Sequence, residues 1–419
     1  MSAPGRPKRE SSLGEAVAQR PEGRPFDAPG RPKRESSLGE GVAQRPEGRP
    51  FDAPGRPKRE SSLGEGVAQR PEGRAFDASG RPKRESSLGE AVAQRPEDDP
   101  VNSGVVGRAA GERRRLLVTG ASGFVGQALR RRWPGSPWER DYEWVEPGLP
   151  LDLRVPEQVD SLVAAARPDA VLHLAAQSFV PASFADPAGT LAVNLNGTLH
   201  LLQALARHRF AGRLLYVSSA DIYGAAGADE LPLAEARAPA PRNPYAVSKA
   251  AAEMLCRQWH FSEGLDVVVA RPFNHVGVGQ APRFVLSGFA RQIARIRLGL
   301  EPPRLITGSL DVSRDFSSVD SVLEAYAALF HKGVPGQTYN VCSGREQYLG
   351  DLLGRMLELA QVEAAQTLDP ALVRPSEQRR VCGDASRLRQ DTGWQPEPSL
   401  DPTIQAMLDW WYNTERSSS

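Results

Sequence analysis

Three short stretches of the chain carry residues suited to chemistry. Tyr245-Ala-Val-Ser-Lys249 sets a phenol and an ammonium four residues apart, which puts both on one face of a helix. A free phenol titrates near pH ~10, too high for ready proton exchange at neutral pH, and a nearby cation lowers that value. The pair alone is also what an ordinary helix surface offers. Val217-Ser-Ser-Ala-Asp-Ile-Tyr-Gly224 adds two hydroxyls and a carboxylate where an apolar run ends. A serine there could donate to a substrate carbonyl beside Tyr245, or simply close a turn. Thr119-Gly120-Ala-Ser-Gly123-Phe124-Val125-Gly126 spaces glycines for a tight turn and close backbone approach. If a helix opens at Phe124, its free N–H groups and positive dipole end face a pyrophosphate.

The elements that must hold these groups can be read from hydrophobic patterning. Residues 113–120, 170–175, 213–218 and 265–270 are short apolar runs without polar alternation, as buried strands are. Helical patterns lie between them, notably at 190–206 and 245–259. Such alternation predicts an α/β fold, a doubly wound parallel sheet covered on both faces, with ligands at the carboxyl ends of its strands. The glycine stretch then falls between the first strand and the first helix. Past Arg271 the spacing loosens, which predicts a smaller substrate-binding part at 272–419 after a core at 113–271, with the last sheet elements interleaved.

Composition narrows the possible functions. The 419 residues carry 52 Lys plus Arg against 51 Asp plus Glu, a balance that argues against a nucleic-acid binder. Cys256, Cys342 and Cys382 are widely separated, so neither a disulfide scaffold nor a metal site is expected. No run of about 18 apolar residues occurs, so no membrane span is predicted. The first ten residues lack an apolar stretch, and a cytoplasmic location is expected. Residues 1–112 are a different material. A unit beginning Gly-Arg-Pro-Lys-Arg-Glu-Ser-Ser-Leu-Gly-Glu starts at Gly5, Gly30, Gly55 and Gly80, and the first hundred residues hold no Trp, Tyr or His. With little to bury, these repeats and the linker after them are predicted to be disordered.

Combined with wider motifs, the sequence resembles a known family. The glycine spacing and Tyr245/Lys249 look like the extended short-chain dehydrogenase/reductases. His173-Leu-Ala-Ala-Gln-Ser178, Asn194-Leu-Asn-Gly-Thr198 and Arg271-Pro-Phe-Asn-His275 are similar to its nucleotide-sugar-modifying NAD-dependent epimerases and dehydratases. Segments at 271–285, 308–316, 339–344 and 374–377 resemble the GDP-4-keto-6-deoxy-D-mannose reductases, relatives of GDP-mannose 4,6-dehydratases.

The resemblance implies a Rossmann-type core and reduction of the C4 ketone of a GDP-linked 6-deoxy-4-ketohexose by NADPH or NADH. Tyr245 would supply the proton, Lys249 would tune Tyr245 and hold the nicotinamide ribose, and Ser219 would polarise the carbonyl while Ser218 caps backbone. It assigns the cofactor to Gly120, Gly123, Phe124, Val125, Gly126, Asp152, Leu153, Leu174, Ala175, Ala176 and Phe273, besides Tyr245 and Lys249. It assigns the substrate to Asn274, Arg283, Arg314, Arg374 and Glu377, with Ser219 and Asp221 near the sugar. His275 would contact substrate or cofactor. Asp152 is equally suited to capping the helix at Val155. Glu146 would favour NADH through the ribose 2′-hydroxyl. Arg130, Arg131 and Arg132 would reach a 2′-phosphate only with a displaced second strand. A homodimer is expected by resemblance, although the apolar face at 190–206 fits core and interface alike.

Alternatives stay open. A 4,6-dehydratase needs an acid/base pair after the catalytic hydroxyl, where this chain has Ala220 and Asp221. A 4-epimerase uses the same triad, and a non-catalytic nucleotide-binding module needs no triad at all.

Overall fold

A computed structural model describes residues 113–146, 151–373 and 378–418. The repeats within 1–112, and Arg374 and Glu377, lie outside the described residues.

The first half alternates strand and helix. In chain order it comprises β1 (Arg114–Thr119), α1 (Phe124–Arg132), α2 (Pro137–Asp141), β2 (Tyr142–Val145), α3 (Pro156–Ala166) and β3 (Ala170–His173). Then come α4 (Val180–Ala185), α5 (Pro187–Leu191), α6 (Gly197–Arg207), β4 (Arg213–Val217), α7 (Pro244–Glu263) and β5 (Asp266–Pro272). Further on are β6 (Asn274–Val276), α8 (Val285–Arg297), β7 (Arg304–Thr307), β8 (Ser313–Arg314), β9 (Phe316–Ser318) and α9 (Val319–Lys332). The chain closes through β10 (Thr338–Val341), β11 (Gln347–Tyr348), α10 (Leu349–Ala360), β12 (Ala365–Leu368), α11 (Ser386–Thr392) and α12 (Asp401–Ser418).

Among the described residues the main sheet has six strands in the order β10-β5-β4-β3-β1-β2, every pairing parallel. Burial along β1 shows why it is doubly wound. Leu116 and Val118 enter one apolar core with Leu129 and Tyr326, so that face is covered by α1 and α9. Leu117 points the other way, into a core with Val163, Leu201 and Cys256 from α3, α6 and α7. A third core joins Phe289, Leu353 and Ile404 of α8, α10 and α12, away from the sheet.

The helix predicted at 190–206 lies within a continuous helical run at 187–207. Between α5 and α6 the backbone runs through a wider π turn at Ala192–Asn196. The side chains of Leu201, Leu202 and Leu205 are fully buried, so the apolar face of α6 belongs to the core. Among the described residues no helix is long and apolar enough to cross a membrane.

Candidate active site

The glycine stretch turns where β1 ends, and backbone packing fixes its shape. Gly120 has φ +75°, and a Cβ there would lie 2.6 Å from Ala175 N and 2.9 Å from Leu174 C. A side chain would therefore force this loop off the segment following β3. Gly123 N donates to Gly120 O at 2.9 Å, and a Cβ on Gly126 would meet Ala121 Cα at 2.5 Å. Helix α1 thus sits hard against its own entry loop. Its cap residue, Gly123, offers no side-chain acceptor, which leaves the first N–H groups at Phe124 and Val125 aimed outward from the helix end. Leu174 N bonds Thr119 O, and Ala175 N bonds Thr119 Oγ1, so 174–176 and 120–126 form one continuous rim. This cradle suits a dinucleotide, whose pyrophosphate needs close backbone approach.

The adenosine end departs from expectation at two points. Asp152 does not cap α3, whose cap residue is Val155 without a side-chain bond. Instead it accepts from Arg154 N at 2.9 Å and pairs with the Arg154 guanidinium, which pulls its carboxyl down to about 2. Leu153 is buried in the α3–α6 core. Arg130 does reach the end of β2 with that strand in place: it pairs with Glu146 and lies 5.0 Å over the Trp144 ring. Arg131 bonds Val278 O and Arg132 pairs with Asp320.

Helix α7 brings Tyr245 and Lys249 to the end of β4. Asn243 caps it by accepting from Ala246 N, and Pro244 opens its first turn. Tyr245 and Lys249 are both buried, one turn apart. Lys249 Nζ donates to Val217 O at 2.7 Å and lies 5.1 Å from the Tyr216 ring centre. Ser219 opens the turn just past Val217, whose carbonyl Lys249 holds, so the end of β4 and helix α7 meet here.

The serine roles differ from the sequence reading. Ser219 also accepts from Asp221 N at 3.2 Å, capping the 3-10 turn Ala220–Tyr223. Ser218 caps nothing; its buried hydroxyl has no hydrogen-bond partner.

The electrostatics also correct an expectation. Burial raises the Tyr245 phenol above its ordinary value, the Asp221 carboxylate adds to that, and the Ser219 bond lowers it. Lys249 does not overcome burial because its ammonium is turned to the Val217 carbonyl, and burial brings it down to about 8. Tyr245 is thus a neutral phenol at neutral pH.

Two residues beyond the triad hold it in place. Asn194, at the π turn, accepts from Gln177 N and donates to Gln177 O and Ser248 Oγ. Ser248 in turn donates to Tyr245 O, so Asn194 ties the loop after β3 to α7. A lone amide within the apolar stretch Leu191–Leu195 was the available signal, since a buried amide must find partners. His173 lies within hydrogen-bonding distance of Thr119 Oγ1 and Thr198 Oγ1, and burial pushes its imidazole down to about 3. It is a neutral strut.

The substrate side is looser. Asn274 is exposed at the start of β6, which pairs with β9. Arg283 is exposed and lies 4.9 Å over Phe179 and 5.5 Å over Phe284. Arg314 donates to Ser313 O and Gln378 O. The ring of Phe273 packs in the main core against Gly383 and Tyr223. His275 stacks on Phe124 with ring centres 6.1 Å apart, joining the glycine loop to the substrate side. Sequence reasoning passed over Asp315, a buried carboxylate that accepts from Ser343 N and Oγ, Gly344 N and Gly383 N.

Comparison with known proteins agrees with this geometry. The protein-family model described as GDP-mannose 4,6 dehydratase matches residues 148–407. A GDP-6-deoxy-D-mannose reductase of Pseudomonas aeruginosa is 48% identical over 310 residues, covering 72% of this chain and 99% of the relative. A dTDP-glucose 4,6-dehydratase of Streptomyces antibioticus is 30% identical over 318 residues, covering 71% and 92%. The solved structure of RMD from Pseudomonas aeruginosa complexed with NADPH superposes with a TM-score of 0.69 at 47% identity, covering 72% of this chain and 99% of that one. The chain belongs to the NAD-dependent epimerase/dehydratase family of extended short-chain dehydrogenase/reductases.

Proposed function

We propose that the protein reduces the C4 ketone of GDP-4-keto-6-deoxy-D-mannose to GDP-D-rhamnose, using NADPH or NADH. The observation that carries this reading is geometric: Tyr245 and Lys249 lie buried one turn apart on α7, and Lys249 is bonded to the end of β4, where Ser219 begins its turn. The relative sharing 48% of its residues, a GDP-6-deoxy-D-mannose reductase, supports the same substrate.

The cofactor supplies a hydride to C4. Ser219 takes a hydrogen bond from Asp221 N and so has its own proton to offer the ketone oxygen. Tyr245 then gives its proton to the alkoxide forming at that oxygen, and Lys249, one turn along the same helix, would hold the nicotinamide ribose. The shared rim of Gly120, Gly123, Phe124, Val125, Gly126, Leu174, Ala175 and Ala176 takes the pyrophosphate end. Asp152, Leu153 and the backbone of Phe273 complete that assignment. Arg130 at the end of β2 supports NADPH, since a guanidinium suits a 2′-phosphate, while Glu146 beside it leaves NADH usable. Asn274, Arg283, Arg314, Arg374 and Glu377 would hold the GDP moiety, within a substrate-binding part at 272–419 that follows the core at 113–271.

A homodimer is proposed through α7. Val247, Met254 and Phe261, seven residues apart, are 43%, 61% and 76% exposed, and Phe184 of neighbouring α4 is 60% exposed. An apolar stripe at heptad spacing suits a second copy of itself. A cytoplasmic location accords with the nucleotide substrates.

The test is incubation with GDP-4-keto-6-deoxy-mannose and NADPH or NADH, following reduced-nicotinamide absorbance and the product by NMR. Oxidation coupled to GDP-rhamnose is expected. Conversion of GDP-mannose alone, without net oxidation, would move the assignment to the dehydratases.

A further inference from the structure

We propose that Glu253, Arg271 and Tyr223 form a buried positioning network that sets Ser219 against Tyr245; the proposal rests on the reductase reading. Helix α7 carries Tyr245, Lys249 and Glu253 at successive four-residue steps, so all three lie along one face. Two turns behind Tyr245, Glu253 accepts from Arg271 Nε at 3.1 Å and Nη2 at 2.5 Å. Both side chains are almost fully buried, 4% and 3% exposed. Arg271 Nη1 donates to the Tyr223 hydroxyl at 2.8 Å, with the guanidinium 4.9 Å over its ring. Tyr223 passes its own proton to Asn340 Oδ1 at 2.7 Å, and Asn340 Nδ2 donates to Leu233 O and Asp384 O.

Tyr223 is the last residue of the turn that Ser219 caps. The turn is therefore tied to one helix at both ends, at the front through Lys249, which holds the carbonyl of Val217 two residues before Ser219, and at the back through Tyr223, Arg271 and Glu253. Ile222 and Tyr223 are fully buried, so apolar packing also holds the turn, while the bonds at the Tyr223 hydroxyl fix its direction. A buried ion pair is also a poor source of stability, because apolar residues of similar volume often serve as well or better. Directional bonds to a buried hydroxyl instead specify position, and a catalytic hydroxyl loses rate steeply when displaced by an ångström.

The decisive experiment is a double-mutant cycle on the whole protein, read as single-turnover NADPH oxidation with GDP-4-keto-6-deoxy-mannose. Tyr223→Phe keeps the ring and removes the hydroxyl. It is expected to slow hydride transfer about 10-fold with Ser219 present, less than about 2-fold in a Ser219→Ala background, and to leave equilibrium NADPH binding unchanged. Glu253→Gln, at the other end of the network, is expected to give the same pattern and carries the test if Tyr223→Phe does not fold. An equal loss in both backgrounds, or no loss with Ser219 present, would overturn the proposal. A wild-type protein that oxidises no NADPH with this ketone would overturn the reductase reading instead.

Discussion

At the cofactor loop, backbone meets backbone, Gly120 lying where a Cβ would come within 2.6 Å of Ala175 N. On the sugar-nucleotide side, Asn274 and Arg283 instead stand exposed, and Arg314 bonds loop carbonyls. One half of the site is shaped by what cannot fit, the other by side chains reaching from loops. The first half should be intolerant of any change. The second should respond in affinity while the chemical step survives.

The largest effect is expected at the buried end. Tyr245→Phe should lower turnover about 1,000-fold with NADPH binding retained, because the proton donor is removed and little else. Rapid-mixing kinetics with equilibrium binding checks this, and a loss below about 10-fold would mean another group supplies the proton. Gly120→Val should weaken NADPH binding at least ~10-fold and destabilise the fold by about 2–3 kcal/mol, since φ +75° and the Ala175 contact both oppose a side chain. On the exposed side, Arg283→Ala should raise KM for the keto-sugar about 10-fold, the scale of one charge-assisted bond. Its kcat and melting temperature should stay within error, and a fall in kcat instead would erase the contrast between the halves.

The pH response follows from Lys249, whose buried ammonium titrates at about 8. Turnover should hold below that pH and fall above it, as the charged donor to the nicotinamide ribose is lost. Stability should move oppositely. Below pH ~8 both folded and unfolded chains hold the proton, so the burial penalty is constant. Between ~8 and the free-lysine value of ~10.4 the unfolded chain binds more protons, so this contribution rises with pH. In Lys249→Met that rise should vanish from denaturation curves. The smallest effect is expected furthest from the chemistry: removal of residues 1–110 should change turnover less than about 2-fold, because every motif used here lies beyond them.

The buried half was also the legible half. Strands such as β1 and β5 announce themselves as apolar runs because both their faces are covered, and glycine spacing marks the loop because only glycine fits there. What sequence could not resolve were choices between neighbouring polar atoms. Ser218 and Ser219 are told apart only by resemblance, and the backbone cap expected of Ser218 is instead made by Ser219, which accepts from Asp221 N. Asn194 and Asp315 are ordinary polar residues in sequence, and they matter through partners that are far away in the chain. The Tyr245 shift was misjudged in direction because the four-residue spacing shows the cation but not the burial. Arg130 was misplaced for a related reason: α1 packs so that its guanidinium reaches Glu146 across the edge of the sheet.

The central claim is hydride delivery to C4 with proton delivery from Tyr245, and isotope transfer tests it most directly. NADPH carrying deuterium at the transferable C4 position of its nicotinamide is incubated with GDP-4-keto-6-deoxy-mannose, and the product is read by NMR. One deuterium on C4 of the 6-deoxyhexose, with one NADP+ formed per sugar reduced, is the predicted result. A sugar without deuterium at C4, or one changed without net formation of NADP+, would contradict it.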